Sequence, residues 1–458
     1  MASSSEMPEA RPRHRRPKQQ ANPLKKGILL FLAAKRVTVQ DHVSPQEDEQ
    51  PTLRIADLPK RFTIYPPLLL LPYNFRTHSP PWQVFYEALS EEEKAVLLRH
   101  VVEGGFEGMG ISRVAINAPI AADEIGDAQA QAEASCGGTV KTENVLRSPS
   151  HLLPIFGDWG AAKTTESGSK PATEDFERAF WVSASQHRGI TQCWAPIYTM
   201  FSRGNVSEKA RILGVDAGLG QSRSSFQGLA QSELGEDVNC VDVVDFYVGI
   251  GYFAFCYLQR DVRTVWGWDI NPWSIEGLRR GCEANGWRCL VVLVDNEGRL
   301  QGMTVRELAE IWVESTTIGG GAEIRCVAFL GDNKWSVPLM LALHEELKAR
   351  SPSHRGLNVR HANMGLLPSS RGTWEHATVL SLKTDARAKG SWLHVHENVD
   401  IIQIDAWKVK VVHEIETLTK LSDRGSKNRI SCVGVHEVKT YAPGVMHCVF
   451  DIQIKPYH

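Results

Sequence analysis

No stretch of this chain holds the roughly 20 consecutive apolar residues that a helix needs to cross a bilayer. The longest leucine run, Leu68 to Leu71, is flanked by prolines and suits a short core strand at most. The amino terminus lacks the apolar segment of a secretory signal, so the expectation is a cytoplasmic protein that uses no membrane. Cysteine is sparse: there are 9 in 458 residues, scattered from Cys136 to Cys448 without a C-x-x-C pair. Cys282 and Cys289 are the closest two, and no histidine follows at finger spacing. That argues against a zinc site and for thiols in a reducing compartment. Neither charge is in excess. Lys plus Arg number 51 against 53 Asp plus Glu, a net charge of -2, so only a local basic patch would draw the chain to nucleic acid. The length allows two or more domains and a sizeable core.

The chain is organised around Val241-Asp-Val-Val-Asp-Phe-Tyr-Val-Gly-Ile-Gly-Tyr-Phe-Ala254 and Val265-Trp-Gly-Trp-Asp-Ile-Asn-Pro272. Val241, Val243, Val244 and Phe246 form the apolar, β-branched run of a strand covered on both faces. Gly249 and Gly251 let the backbone turn sharply and approach a ligand with no Cβ in the way. A helix over Tyr252 to Gln259 would point its free N–H groups back at that ligand. Asp269, at the end of the next strand, is placed to take both hydroxyls of a ribose. Gly249-Ile-Gly-Tyr-Phe-Ala254 fits a G-x-G-x-x-A dinucleotide turn. Asp245, four residues before the first glycine, fits S-adenosylmethionine instead. Glycines after a strand also serve packing alone, and the stretch by itself leaves the three open.

Around this unit, residues 1–26 read as a disordered basic tail containing Arg11-Pro-Arg-His-Arg-Arg-Pro-Lys18. Gly27 to Val37 alternates like a strand. Trp82 to Val102 carries apolar residues at helical spacing, with Ser90 and Glu93 as a capping box. Ile111 to Ile120 looks like a strand. Residues 121–142, 160–173 and 214–237 read as loops that lengthen the chain without adding core. Asn271-Pro-Trp starts a helix that ends near Asn285-Gly286. Cys289 to Asn296 and Cys326 to Asn333 both suit the third strand of the sheet, and both end in Asp-Asn, a pair able to meet an adenine. Leu357 to Asn363 leads as a strand into Met364-Gly-Leu-Leu-Pro-Ser-Ser370. Ser391 to Val399 alternates, with His394 and His396 on one face but no third metal ligand in view. Val433 to Val438 and His447 to Ile454 form a hairpin through Tyr441-Ala-Pro-Gly444.

Five segments in order carry a resemblance: Gly189 to Arg211, Asp245 to Phe253, Gly331-Asp-Asn-Lys334, Asn363 to Ser370 and His394-Val-His-Glu-Asn398. They resemble the tRNA wybutosine-synthesising aminocarboxypropyltransferases, relatives of the tRNA guanosine-37 N1-methyltransferases. The likeness covers 189–458 well. It extends faintly to Ser112 to Ile120 and Asn144 to Pro149. The Asn-Met-Gly-Leu-Leu-Pro-Ser-Ser segment looks like the aminocarboxypropyl branch.

This resemblance implies an α/β protein: a Rossmann-like class I S-adenosylmethionine-dependent transferase domain over 189–458. A smaller α/β amino-terminal tRNA-binding region would precede it over 27–188. The implied reaction moves the 3-amino-3-carboxypropyl group of S-adenosylmethionine to C7 of 4-demethylwyosine at position 37 of phenylalanine tRNA. N1-methylation of guanosine-37, or tRNA binding without catalysis, are the rival readings. The implied cofactor residues are Ser202, Lys209, Asp245, Gly249, Gly251 and Asp269. Asp332 and Asn333 are favoured at the adenine over Asp295 and Asn296. Arg203, Asn363 and Pro368 fall on the substrate side, and Arg203, Lys209 and Arg211 suit a basic edge for tRNA phosphates. Trp194 and Trp335 are candidate stacking partners for a splayed base. No metal is implied, and no carboxylate or histidine is singled out as a general base.

Overall fold

The computed structural model describes residues 22–37, 39, 53–117, 152–160, 171–186, 189–199, 201, 204–215, 226–317, 323–350, 356–423 and 427–457. The chain divides into two compact units, Met1–Pro119 with Leu153–Asp158, and Ile120–Leu152 with Trp159–His458. Most of the basic tail and the loop at 121–142 lie outside the described residues, as do Ser202 and Arg203.

The first unit opens with a helix, α1 (Pro23–Ala34), where alternation suggested a strand. Asn22 caps it by accepting from Lys25 N, and Pro23 takes the first turn, where its missing N–H costs nothing. Leu24, Ile28, Phe31 and Leu32 then fall on one buried face. The helix therefore begins inside the segment assigned to the tail. Strands β1 (Thr63–Tyr65) and β2 (Leu68–Pro72) follow, then α2 (Pro80–Glu87) and α3 (Glu91–Arg99). The Ser90–Glu93 capping box starts α3 as expected, and a π-helical turn, His100–Gly105, continues it. A Cβ on Gly27 would stand 2.4 Å from the Val101 Cα, so α1 and this turn pack backbone against backbone. Strands β3 (Arg113–Asn117) and β4 (Leu152–Phe156) complete a sheet of order β1-β2-β3-β4.

The second unit begins with α4 (Thr173–Arg178), then β5 (Val182–Gln186) and β6 (Ile190–Trp194), which pair antiparallel. The expected boundary at 188/189 therefore falls inside a two-stranded ribbon, and the ribbon belongs to the second unit. Next come α5 (Val206–Leu213), α6 (Gln231–Leu234), β7 (Asp242–Asp245), α7 (Ala254–Gln259), β8 (Thr264–Asp269) and α8 (Pro272–Ala284). They are followed by β9 (Arg288–Val294), β10 (Leu300–Gln301), α9 (Val305–Thr317), β11 (Ile324–Leu330) and α10 (Ser336–Arg350). The chain ends with β12 (Val359–Met364), α11 (Trp374–Lys383), β13 (Ser391–Asp400), α12 (Ile404–Ser422), β14 (Asn428–Ala442) and β15 (Val445–Pro456).

Nine strands form one sheet of order β10-β9-β11-β8-β7-β12-β13-β15-β14. From β9 to β13 the pairings are parallel, while β15 runs against both of its neighbours. Both candidate third strands are real: α9 returns β11 into the gap between β9 and β8. Buried cores cover the two faces. One includes Trp266, Trp268, Phe329, Trp374 and Phe450; the other includes Val243, Phe255, Tyr257, Val265 and Leu278. From β7 the chain works outward through β8, then returns to β12 on β7's other side. That reversal opens a crevice at the carboxyl ends of β7 and β12, the place where doubly wound sheets bind ligands.

Candidate nucleoside-binding site

Gly249 (φ +54°) and Gly251 (φ +88°) follow β7, and both occupy a region that residues with side chains avoid. A Cβ on Gly251 would lie 2.5 Å from the Phe255 ring, so the turn is shaped for glycine. The Gly249 N–H donates to Asp269 Oδ2 at 3.0 Å, and the Asn271 N–H donates to Asp269 Oδ1 at 2.8 Å. Asn271 caps α8 by accepting from Trp273 N. One half-buried carboxylate thus joins the glycine turn to the start of α8.

Asp245, the last residue of β7, is fully buried beside Asn363, its partner in the β12 ladder. Burial pushes its pKa up to about 7, although the Asn363 amide and the Tyr247 N–H both favour the charged form. Asp245 Oδ2 and both polar atoms of the Asn363 amide lack a hydrogen bond of good geometry. Buried polar groups left in this way under a glycine turn suit a polar ligand. The turn, the carboxylate and these groups fit an adenosyl group.

The ladder separates the two Asp-Asn pairs. Leu330 pairs with Asp269, so Gly331-Asp-Asn333 emerges directly beside the Asp269 carboxylate. Asn333 Nδ2 donates to Phe246 O at 2.8 Å, tying this loop to β7. Asp295 instead spends its carboxylate inside the β9–β10 turn, accepting from the Glu297 and Arg299 N–H groups and pairing with the Arg299 guanidinium. It also lies one strand farther out.

Lys209, on α5, is buried. That removes the reading of it as part of a basic edge for tRNA phosphates. Its Nζ donates to Gln192 Oε1 at 3.1 Å and stands 5.2 Å from the centre of the Tyr252 ring, within the glycine turn. Burial lowers its pKa to about 8. Gln192 was not singled out from the sequence. The Asn285 side chain fixes its strand by accepting from Thr191 N at 2.8 Å and donating to Thr191 O at 2.7 Å. Gln192 Nε2 is buried without a partner. The signal was a polar residue at an inward position of a short apolar strand.

Arg211 does not belong to a basic edge. It lies buried between Glu208, at 2.7 Å, and Asp451, and the two carboxylates raise its pKa. Trp194 is also core, stacked on Phe201 at 4.0 Å. Trp335 is half-buried, its ring lying against Gly298. His394 and His396 share a face and are buried. His394 Nδ1 meets Asp451 at 2.7 Å, and His396 Nδ1 lies 3.0 Å from His447 Nε2. On the far side of β12, Pro368 is exposed and its carbonyl accepts from Asn398 N at 2.8 Å. Glu397 accepts from Ser370 N at 2.8 Å and Ser369 Oγ at 3.0 Å, holding the segment after Pro368 in place. Sequence reasoning gave Glu397 no role.

Fold and site together define a class I S-adenosylmethionine-dependent transferase domain. No protein-family profile matches the chain. The tRNA wybutosine-synthesizing protein 2 of Schizosaccharomyces pombe is 32% identical over 413 residues, which is 90% of this chain and 75% of that protein. Its Saccharomyces cerevisiae namesake is 29% identical over 428 residues, 87% of this chain and 74% of that one. The crystal structure of P. horikoshii TYW2 in complex with MeSAdo aligns over 88% of this chain and 93% of that chain, with 16% identity and a TM-score of 0.45. The chain belongs to the tRNA wybutosine-synthesizing protein 2 family.

Proposed function

We propose that this protein transfers the 3-amino-3-carboxypropyl group of S-adenosylmethionine to C7 of 4-demethylwyosine at position 37 of phenylalanine tRNA, releasing methylthioadenosine. The observation that carries the reading is the Asp269 carboxylate closing the Gly249 turn at the crevice, in a chain of this family. When bound, the cofactor supplies a sulfonium with three electrophilic carbons. Which carbon reacts is decided by positioning, and the residues divide that task. Asp269 holds the ribose hydroxyls, while Asp332 and Asn333 meet the adenine. Lys209, with Ser202, takes the methionine carboxylate, so that the long arm of the sulfonium is drawn out toward the base. Asn363 and Pro368 line the substrate side, and Arg203 contacts the anticodon stem-loop. The attacking carbon is electron-rich, so no residue is assigned as a general base. The reading implies a cytoplasmic enzyme. Among the described residues no helix is long and apolar enough to cross a membrane.

The test is incubation with tRNA carrying the tricyclic precursor and carboxyl-labelled S-adenosylmethionine. Label retained in the tRNA, with methylthioadenosine formed, is expected. S-adenosylhomocysteine with methylated tRNA would establish the N1-methyltransferase instead. Intact tRNA affinity without calorimetric binding of S-adenosylmethionine would leave a tRNA-binding protein.

A further inference from the structure

The parallel ladder sets Cys326 of β11 directly beside Cys289 of β9. A register shift between Ile324 and Cys326 produces this alignment; without it Arg325 would stand opposite Cys289. Cys282, in the last turn of α8, closes over the pair from above. The three sulfurs lie within 4.8 Å of one another. Among the described residues this is the group of His, Cys, Asp or Glu side chains drawn together tightly enough to hold a metal ion. Cys282 and Cys326 are fully buried, whereas Cys289 is half-buried and lines a 330 Å³ pocket together with Arg279, Glu283, Trp287 and Arg288. Solvent therefore reaches the residue that carries one of the three sulfurs.

We infer that Cys282, Cys289 and Cys326 form a three-thiolate site for a thiophilic metal ion of the zinc class, with its fourth position facing the pocket. A zinc–sulfur bond of about 2.3 Å needs sulfurs roughly 3.8 Å apart, so the site closes with a contraction of under about 1 Å. Each thiol gives its proton to solvent as the metal binds. A water completes the fourth position. The site lies at the amino ends of β9 and β11. Four residues of strand, about 13 Å, separate Cys326 from Leu330 beside the ribose carboxylate. It is therefore distinct from the cofactor crevice and does not rest on the proposed reaction.

The experiment titrates the reduced, metal-stripped full chain with Cd²⁺ and follows the thiolate-to-cadmium charge-transfer absorbance. Saturation at one equivalent is expected, with Cys282, Cys289 and Cys326 protected from alkylation in mass spectrometry. Cys289→Ser, at the rim, should weaken binding by more than about tenfold, since even outer-shell changes cost that much, while Cys240→Ser leaves binding unchanged. No charge-transfer band, a band unaffected by Cys289→Ser, or protection at other cysteines would overturn the site. Alkylation mapping of the wild type keeps the test decisive should the variant fail to fold.

Discussion

The N–H of Gly249 points at the carboxylate of Asp269 across 3.0 Å, so the end of β8 fixes the turn at the end of β7. The same carboxylate anchors α8 through Asn271 N. In Asp269→Ala the ribose loses its acceptor and the turn loses its tether. A charged hydrogen bond is worth about 1.5–3 kcal/mol, which at 1.4 kcal/mol per decade means roughly 10- to 100-fold weaker cofactor binding. Isothermal titration calorimetry reads this directly. Affinity unchanged in the variant would remove Asp269 from the ribose.

Arg211 offers a second check, because its burial contradicts a tRNA-contact role. Its guanidinium lies between Glu208 and Asp451, with His394 beyond Asp451 and His436 Nε2 at 3.8 Å from Glu208. Arg211→Met leaves two buried carboxylates without their cation. Breaking such a pair costs about 3–5 kcal/mol. A large drop in melting temperature is expected, and at low temperature the folded fraction should keep its tRNA affinity. Weakened tRNA binding with unchanged melting would instead return Arg211 to the surface.

What was legible in the sequence was local. The glycine turn, the Asn271 cap and the terminal hairpin each depend on neighbours a few residues away, and all three stand where they were expected. What was hidden depends on distance. Arg211 meets Asp451 across 240 positions, and nothing near Arg211 marks it as buried. The place of β11 between β9 and β8 is a choice among parallel strands whose apolar runs are interchangeable. The α1 helix was misread for another reason. Its dense apolar run, Gly27-Ile-Leu-Leu-Phe-Leu32, hides the period, and the Asn22-Pro23 start signal lies inside a segment that composition marked as tail.

Glu397 links stability to pH. Burial raises its pKa to about 7, against the hydrogen bonds from Ser370 and Ser369 that favour the anion. Its folded value therefore exceeds its unfolded one, and the native state holds the extra proton. The stability it contributes is complete below the unfolded value near 4.3 and is lost as pH rises to about 7. The difference is on the order of 3 kcal/mol. Glu397→Gln keeps an acceptor for both serines and cannot ionise. Melting temperatures across this range should show the variant gaining on the wild type as pH rises, then a constant gap. A constant gap throughout would show that Glu397 does not titrate there.

Lys209 makes the complementary argument, on the ligand rather than the fold. Burial lowers its pKa to about 8, so the empty protein loses this cation as pH climbs past that value. A ligand carboxylate needs the charged form, and binding must then draw in a proton. S-adenosylhomocysteine carries the carboxylate and methylthioadenosine does not. Above about 8, where Asp245 is already ionised, the affinity of the first is expected to weaken by up to about tenfold per pH unit, while that of the second stays flat. In Lys209→Met the two ligands should share one pH profile above about 8, and the homocysteine derivative should lose most of its advantage. The variant also strips Gln192 Oε1 of its donor, so melting temperature is read beside affinity to keep a binding defect apart from a folding one. Parallel pH profiles for the two ligands in the wild type would take Lys209 away from the carboxylate.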